Sequence, residues 1–183
     1  MPDSSITPFG PVPAHGNMLC VLGPPGAGKT TISLRLAEST GAELVVVSRF
    51  LRGLIEQDPA APVAKYIQEN FNSGSNIDKS EIHSALMERL DSIDASSIIL
   101  DGFPRTRNAQ NCLNEWMSRT NRKLVVLHVF ADIGTCRQRF QSKNLDTRSQ
   151  EAFDARSSHY ATVERGLISE FSNSPIININ TTG

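Results

Sequence analysis

The densest chemical signal in the chain is the run GPPGAGKTT, Gly23 to Thr31, which follows directly on a short apolar stretch. Glycine lets successive backbone N–H groups turn toward one point, and a helix that starts where such a loop ends adds its positive pole. Gly23, Pro24, Gly26, Ala27 and Gly28 therefore read as a cradle for a polyphosphate. Lys29 brings a full charge to the β- and γ-phosphates, Thr30 stands where a hydroxyl helps to hold magnesium, and Thr31 extends the motif. The bland alternative is a glycine-rich turn before a helix, and the complete motif in strand-to-helix context argues against it. A second run, SIILDGFPR from Ser97 to Arg105, ends an apolar stretch with Asp101, placed where a carboxylate can reach the magnesium shell beside such a loop. Asp-Gly is also a common turn pair, so Asp101 takes this meaning only alongside the loop. A phosphate loop alone does not separate kinase, ATPase and GTPase. A GTPase is disfavoured, because the chain offers only the scrambled KNLD, Lys143 to Asp146, for an Asn-Lys-x-Asp guanine-reading element.

These residues need a scaffold, and the apolar pattern predicts one. Five short, mostly β-branched runs stand out: Met18 to Leu22, Leu44 to Val47, Ile98 to Leu100, Leu124 to Phe130 and Ile176 to Ile179. Continuous apolar strands of this kind are buried on both faces, as in a parallel sheet covered by helices. Between them, residues 29 to 39 form a helix closed at Thr40 and Gly41. Asp78 and Glu81 form a capping-box pattern before the stripe Ile82, Leu86, Leu90. Pro104 suits the start of a further helix, and Phe153, Tyr160, Val163, Leu167 and Phe171 make a last stripe that ends before Pro175. The expectation is an α/β fold, a five-stranded parallel sheet flanked by helices.

Composition narrows the partners. Eighteen Lys and Arg against nineteen Asp and Glu give a net charge of −1, so no field of one sign draws in nucleic acid or anionic lipid. Phosphate binding must be local. Residues 1–17 carry prolines and glycines but no Lys or Arg and no apolar run of signal-peptide length, so a flexible tail and a cytoplasmic location are expected. No stretch is long and apolar enough to span a membrane. Cys20, Cys112 and Cys136 are far apart and read as reduced and structural. His83 and His128 read as a helix-surface and a strand residue, and Trp116 as helix packing.

GPPGAGK together with DGFPRT resembles the adenylate kinase and UMP-CMP kinase family of P-loop nucleoside monophosphate kinases, over nearly all of Gly23 to Ile179. The resemblance implies a domain over residues 18–183, with an acceptor-binding helical insertion at about 48–80 and a short lid at about 142–149. It implies that Gly23, Pro24, Gly26, Ala27, Gly28, Lys29, Thr30, Thr31 and Arg139 bind ATP, and that Thr30 and Asp101 hold Mg2+. It implies acceptor binding by Ser48, Arg52, Ile77, Gly102, Arg105 and Gln110, with Gly74 beside Ile77 in the acceptor-base pattern. It further implies that Lys29, Arg105, Arg139, Lys143, Arg148 and Arg156 serve catalysis, Arg156 and Tyr160 matching an Arg-x-x-x-Tyr pattern. The chemistry agrees: a monophosphate is already largely an anion and needs no general base, but two polyanions held in line need several cations in a dry site.

The chain also departs from that family. Val47, Ser48 and Arg49 replace a Thr-Gly-Asp, and Ala109 stands where the acceptor-reading amide belongs, flanked by Asn108 and Gln110. The lid is expected to be short, and the sequence stops at Gly183, just after the fifth apolar run, where the family continues into a helix. The expected activity is transfer of the γ-phosphoryl of MgATP to a nucleoside monophosphate, AMP favoured, by a monomer that takes small-molecule nucleotides and binds neither nucleic acid nor membrane. UMP or CMP as acceptor, a small non-nucleotide acceptor, and a nucleotide-binding protein without transfer activity are the alternatives.

Overall fold

Residues that alternate along each strand enter two different cores, and this arrangement organises the molecule. The computed structural model describes residues 16–142, 149–171 and 173–182. Met18, Cys20 and Leu22 of β1 (Asn17–Leu22) join one apolar cluster with Ile98, Leu100 and Val126, while Val21 joins the other with Ile99, Leu127 and Val129. Both faces of the sheet are therefore dry, as the unbroken apolar runs require. Each such side chain stabilises the fold by about 1.5–3 kcal/mol through burial.

In chain order β1 is followed by α1 (Lys29–Thr40), β2 (Glu43–Val46), α2 (Val47–Gln57), α3 (Pro62–Ser73), α4 (Ser80–Asp91), β3 (Ser97–Asp101), α5 (Arg107–Thr120), β4 (Lys123–Phe130), α6 (Ile133–Gln141), α7 (Gln150–His159), a π-helical turn (Tyr160–Glu164), α8 (Arg165–Glu170) and β5 (Ile176–Asn180). All strand pairs are parallel, in the order β2-β3-β1-β4-β5. Leu51, Ile67, Leu86, Leu113 and Ile168, from α2, α3, α4, α5 and α8, cover one face; Cys136, Phe140 and Phe153 of α6 and α7 share the other with the flank of α1. β1 lies at the centre of the sheet with β3 on one side and β4 on the other, and the chain leaves it through α1 for the edge strand β2. The crevice outside the carboxyl ends of β1 and β3 is thus where such sheets bind ligands.

The five expected strands are present, with ends shifted by a residue at most. Val47, expected to end the second strand, instead opens α2. Pro104 does not start a helix. It lies in the loop after β3, behind a cis Phe103–Pro104 peptide, and α5 begins at Arg107 with Thr106 as its cap. The Asp78–Glu81 capping box does not form either: the residue before α4 is Lys79, without a side-chain cap, because the Asp78 carboxylate accepts hydrogen bonds from Thr106 Oγ1 (2.8 Å) and Asn108 Nδ2 (3.0 Å). A tertiary bond replaces the local one and ties the start of α4 to the start of α5. His83 is not on the helix surface but buried at 4% exposure. The expected tail falls almost wholly on residues outside those described.

Candidate active site

The loop after β1 is shaped by close approach. Gly26, at φ +81°, has no room for a side chain, since a Cβ there would stand 1.9 Å from the Cys136 carbonyl oxygen on α6. Gly28, at φ +88°, faces open space and enters α1 directly. Lys29 folds back over the loop and donates to the carbonyls of Gly23 and Pro24, both at 2.8 Å. Burial pulls its pKa down to about 8, with the charge of Arg105 acting in the same direction and Asp101 and Glu164 opposing. Thr30 Oγ1 donates to Asp101 Oδ2 at 2.5 Å. Asp101 reaches it because β1 and β3 are in register with Val21 opposite Asp101, so the strand's last residue emerges beside the loop.

A cavity of about 340 Å³ opens in front of this pair. Pro25, Gly26, Gly28, Lys29, Thr30 and Thr31 form one end of its wall. Ser48, Ile77, Phe103 and Ala109 line it as well, together with Asp101, Gly102 and Arg105. Arg105 is held by its own loop, with Nε donating to the Gly102 carbonyl (2.9 Å) while its backbone carbonyl accepts from His159 Nε2 (2.8 Å). Arg139 and Arg156 line the cavity too. Arg139 donates to the Thr181 hydroxyl (3.1 Å) and carbonyl (2.9 Å), and Arg156 donates to the Phe71 carbonyl (3.0 Å).

Some expected residues fall elsewhere. Gln110, expected at the acceptor, is buried at 3% exposure outside the cavity; its amide donates to the Leu167 carbonyl (3.3 Å) and accepts from Arg107 (3.0 Å). The physical reason is helical phase: with Thr106 capping α5, Ala109 faces the cavity and the next residue points about 100° away, toward α8. Arg52 is not in the wall. It lies over the ring of Phe71 (5.4 Å), which is, and Nη1 donates to Ser48 O at 3.5 Å. Gly23, Pro24 and Ala27 do not line the cavity; the carbonyls of Gly23 and Pro24 accept from Lys29 and that of Ala27 from Thr181. Lys143 and Arg148 lie outside the described residues.

Among the residues of this region that the sequence did not announce are His83 and Thr181. His83 lines the cavity, and a signal for it existed, since Met87 four residues on is also buried and marks a second apolar row along α4. Thr181 binds Arg139 and donates from its hydroxyl to the Ala27 carbonyl (2.9 Å), joining the segment after β5 to the phosphate loop. Nothing local announces it.

The comparisons with known proteins agree with this geometry. A family profile described as an AAA domain matches residues 22–157. The chain is similar to an adenylate kinase of Sinorhizobium medicae, 30% identical over 70% of this chain and 67% of that one. It is also similar to adenylate kinases of Azorhizobium caulinodans (35% identical; 58% of this chain, 54% of the relative) and Thermotoga petrophila (30% identical; 61% and 51%). The match spans about half the length of several of these curated relatives.

Proposed function

The chain belongs to the adenylate kinase family of P-loop nucleoside monophosphate kinases, and from that premise we propose that it transfers the γ-phosphoryl group of MgATP to a nucleoside monophosphate, with AMP favoured. The observation that carries this reading is a single cavity that joins the phosphate loop to Ser48, Ile77 and Arg105. A donor and an acceptor can then lie end to end with their phosphates between Lys29 and Arg105.

The residues divide the work by charge. Polyphosphate oxygens replace the Gly23 and Pro24 carbonyls as partners of the Lys29 ammonium, while loop N–H groups and the start of α1 take the remaining charge. Arg105, with the acceptor phosphate beside it, keeps two anions in line. Arg139 and Arg156 line the same cavity and can bring further positive charge to the transferred group. No side chain has to remove a proton, because the attacking oxygen of a monophosphate is already largely ionised at neutral pH. The Thr30 hydroxyl and Asp101 carboxylate are hard oxygen donors on the cavity floor and fit Mg2+, which, bound with the donor, would screen the β- and γ-phosphates. Free Cys20, Cys112 and Cys136 suit a reducing compartment, so action in the cytoplasm is part of this reading. Among the described residues no helix is long and apolar enough to cross a membrane.

The test is a panel of AMP, CMP, UMP, dTMP and GMP with MgATP, following diphosphate formation. Turnover with AMP best by kcat/KM is expected. A strong preference for UMP or CMP would refute the adenylate choice and keep the kinase class; absence of turnover with all five would refute the kinase reading.

A further inference from the structure

The cavity holds no amide at the position of Ala109; beside the apolar Ile82, Leu86 and Phe103 its lining includes the polar side chains of Ser48, Ser75, Asn76 and His83, so another polar group must tell one base from another. Resting on the kinase reading above, we propose that His83 is the specificity-determining residue of the acceptor site, its imidazole meeting the polar edge of the acceptor base. Among the described lining residues, His83 and Asp101 are the buried polar side chains, and Asp101 is engaged by Thr30. Ile82, Leu86, Phe103 and Ala109 line the same cavity as the ring and give a flat base apolar contact.

Three observations set His83 apart from a packing residue. Its Nε2 is buried without a hydrogen-bond partner, 3.5 Å from Asp78 Oδ1 and beyond good hydrogen-bond geometry. A leucine or methionine would fill this space without that desolvation cost. The ring is also held in place, edge-on to Phe103 (centroids 5.8 Å apart, planes at 72°), next to a carboxylate that is itself fixed by Thr106 and Asn108. Finally, burial lowers the imidazole pKa below its ordinary value, outweighing the opposite pull of the Asp78 carboxylate and the Ile77 carbonyl. A neutral imidazole can turn one nitrogen, as a donor or as an acceptor, toward a base edge, since its two nitrogens diverge and do not meet the same edge. A site that hydrogen-bonds its substrate discriminates far more strongly than one that only packs against it.

The experiment runs the five monophosphates with MgATP on the wild-type chain, His83→Leu and His83→Gln. In His83→Leu the ratio of kcat/KM between the best and worst acceptors should contract by about tenfold or more, mainly through acceptor KM, while the KM for ATP stays within about twofold. His83→Gln, which keeps a donor and an acceptor, should recover part of that ratio. A structural role would scale all five acceptors alike, so an unchanged ratio and order in a folded His83→Leu overturns the proposal. If circular dichroism shows that His83→Leu does not fold, His83→Met decides by the same criterion. Wild-type protein that binds ATP but turns over none of the five would overturn the kinase reading itself and this inference with it, an outcome distinct from an unchanged ratio.

Discussion

Gly26 and Gly28 belong to one motif and share one backbone region, yet alanine should affect them differently. Both sit at positive φ, +81° and +88°, where a Cβ costs about 1–2 kcal/mol from backbone strain. At Gly28 nothing lies within 4 Å of the added carbon, so that strain is the whole cost. At Gly26 the carbon would stand 1.9 Å from the oxygen and 2.7 Å from the carbon of the Cys136 carbonyl. These are backbone atoms of α6, which can yield only if the helix moves, and α6 is anchored by the buried Cys136 and Phe140. Overpacking of this kind adds about 1–3 kcal/mol, for a total of roughly 2–5 kcal/mol at Gly26. In a chain of this size each kcal/mol lowers Tm by about 2–4 °C, so Gly26→Ala should melt roughly 10 °C lower while Gly28→Ala loses a few degrees. Gly28→Ala should remain folded and bind ATP poorly, because its methyl projects into the cavity where the phosphates belong. Thermal and urea unfolding followed by circular dichroism, with calorimetry for ATP, separates the two. Equal losses of stability within about 0.5 kcal/mol would refute the close-approach argument.

Lys29→Ala should lower phosphoryl transfer by a factor of roughly 10² or more with the far-ultraviolet spectrum unchanged; activity within a few-fold of wild type would remove the phosphate loop from the chemistry. Because Lys29 is held down to about pKa 8 before the triphosphate arrives, ATP binding near pH 8–9 should take up protons, seen as a binding enthalpy that depends on the buffer's ionisation enthalpy. The same shift has a sign for stability: the folded Lys29 has the lower pKa, so the unfolded chain binds more protons between about pH 8 and its unperturbed value, and this residue's destabilising contribution should fade as pH rises through that window in urea titrations. Gln110→Ala should cost about 2 kcal/mol by removing a buried amide bonded to the Leu167 carbonyl, yet leave the ranking of acceptors unchanged; an altered ranking would return Gln110 to the acceptor site.

Features that depend on neighbours along the chain are readable from the residues alone. Alternating strand and helix were legible because a strand buried on both faces reads as a continuous apolar run, and Met18 to Leu22 or Leu124 to Phe130 cannot be satisfied otherwise. The phosphate loop was legible because its glycines, lysine and threonine are contiguous, and Asp101 because it ends a strand that can lie beside the loop. Which way side chains on helices point, and which distant groups meet, depends on three-dimensional packing. One step along a helix is about 100°, so Ala109 enters the cavity and Gln110 leaves it, depending on where Thr106 caps α5. Asp78 gave up its local capping box for Thr106 and Asn108, partners 28 and 30 residues away. His83 became part of the wall because α4 buries two rows instead of one, and Arg139 was tied to Thr181, 42 residues on. Contacts at such separations leave no periodicity in the sequence, since they arise only when the sheet's parallel order brings the ends of β1, β3 and β5 to the same side of the molecule.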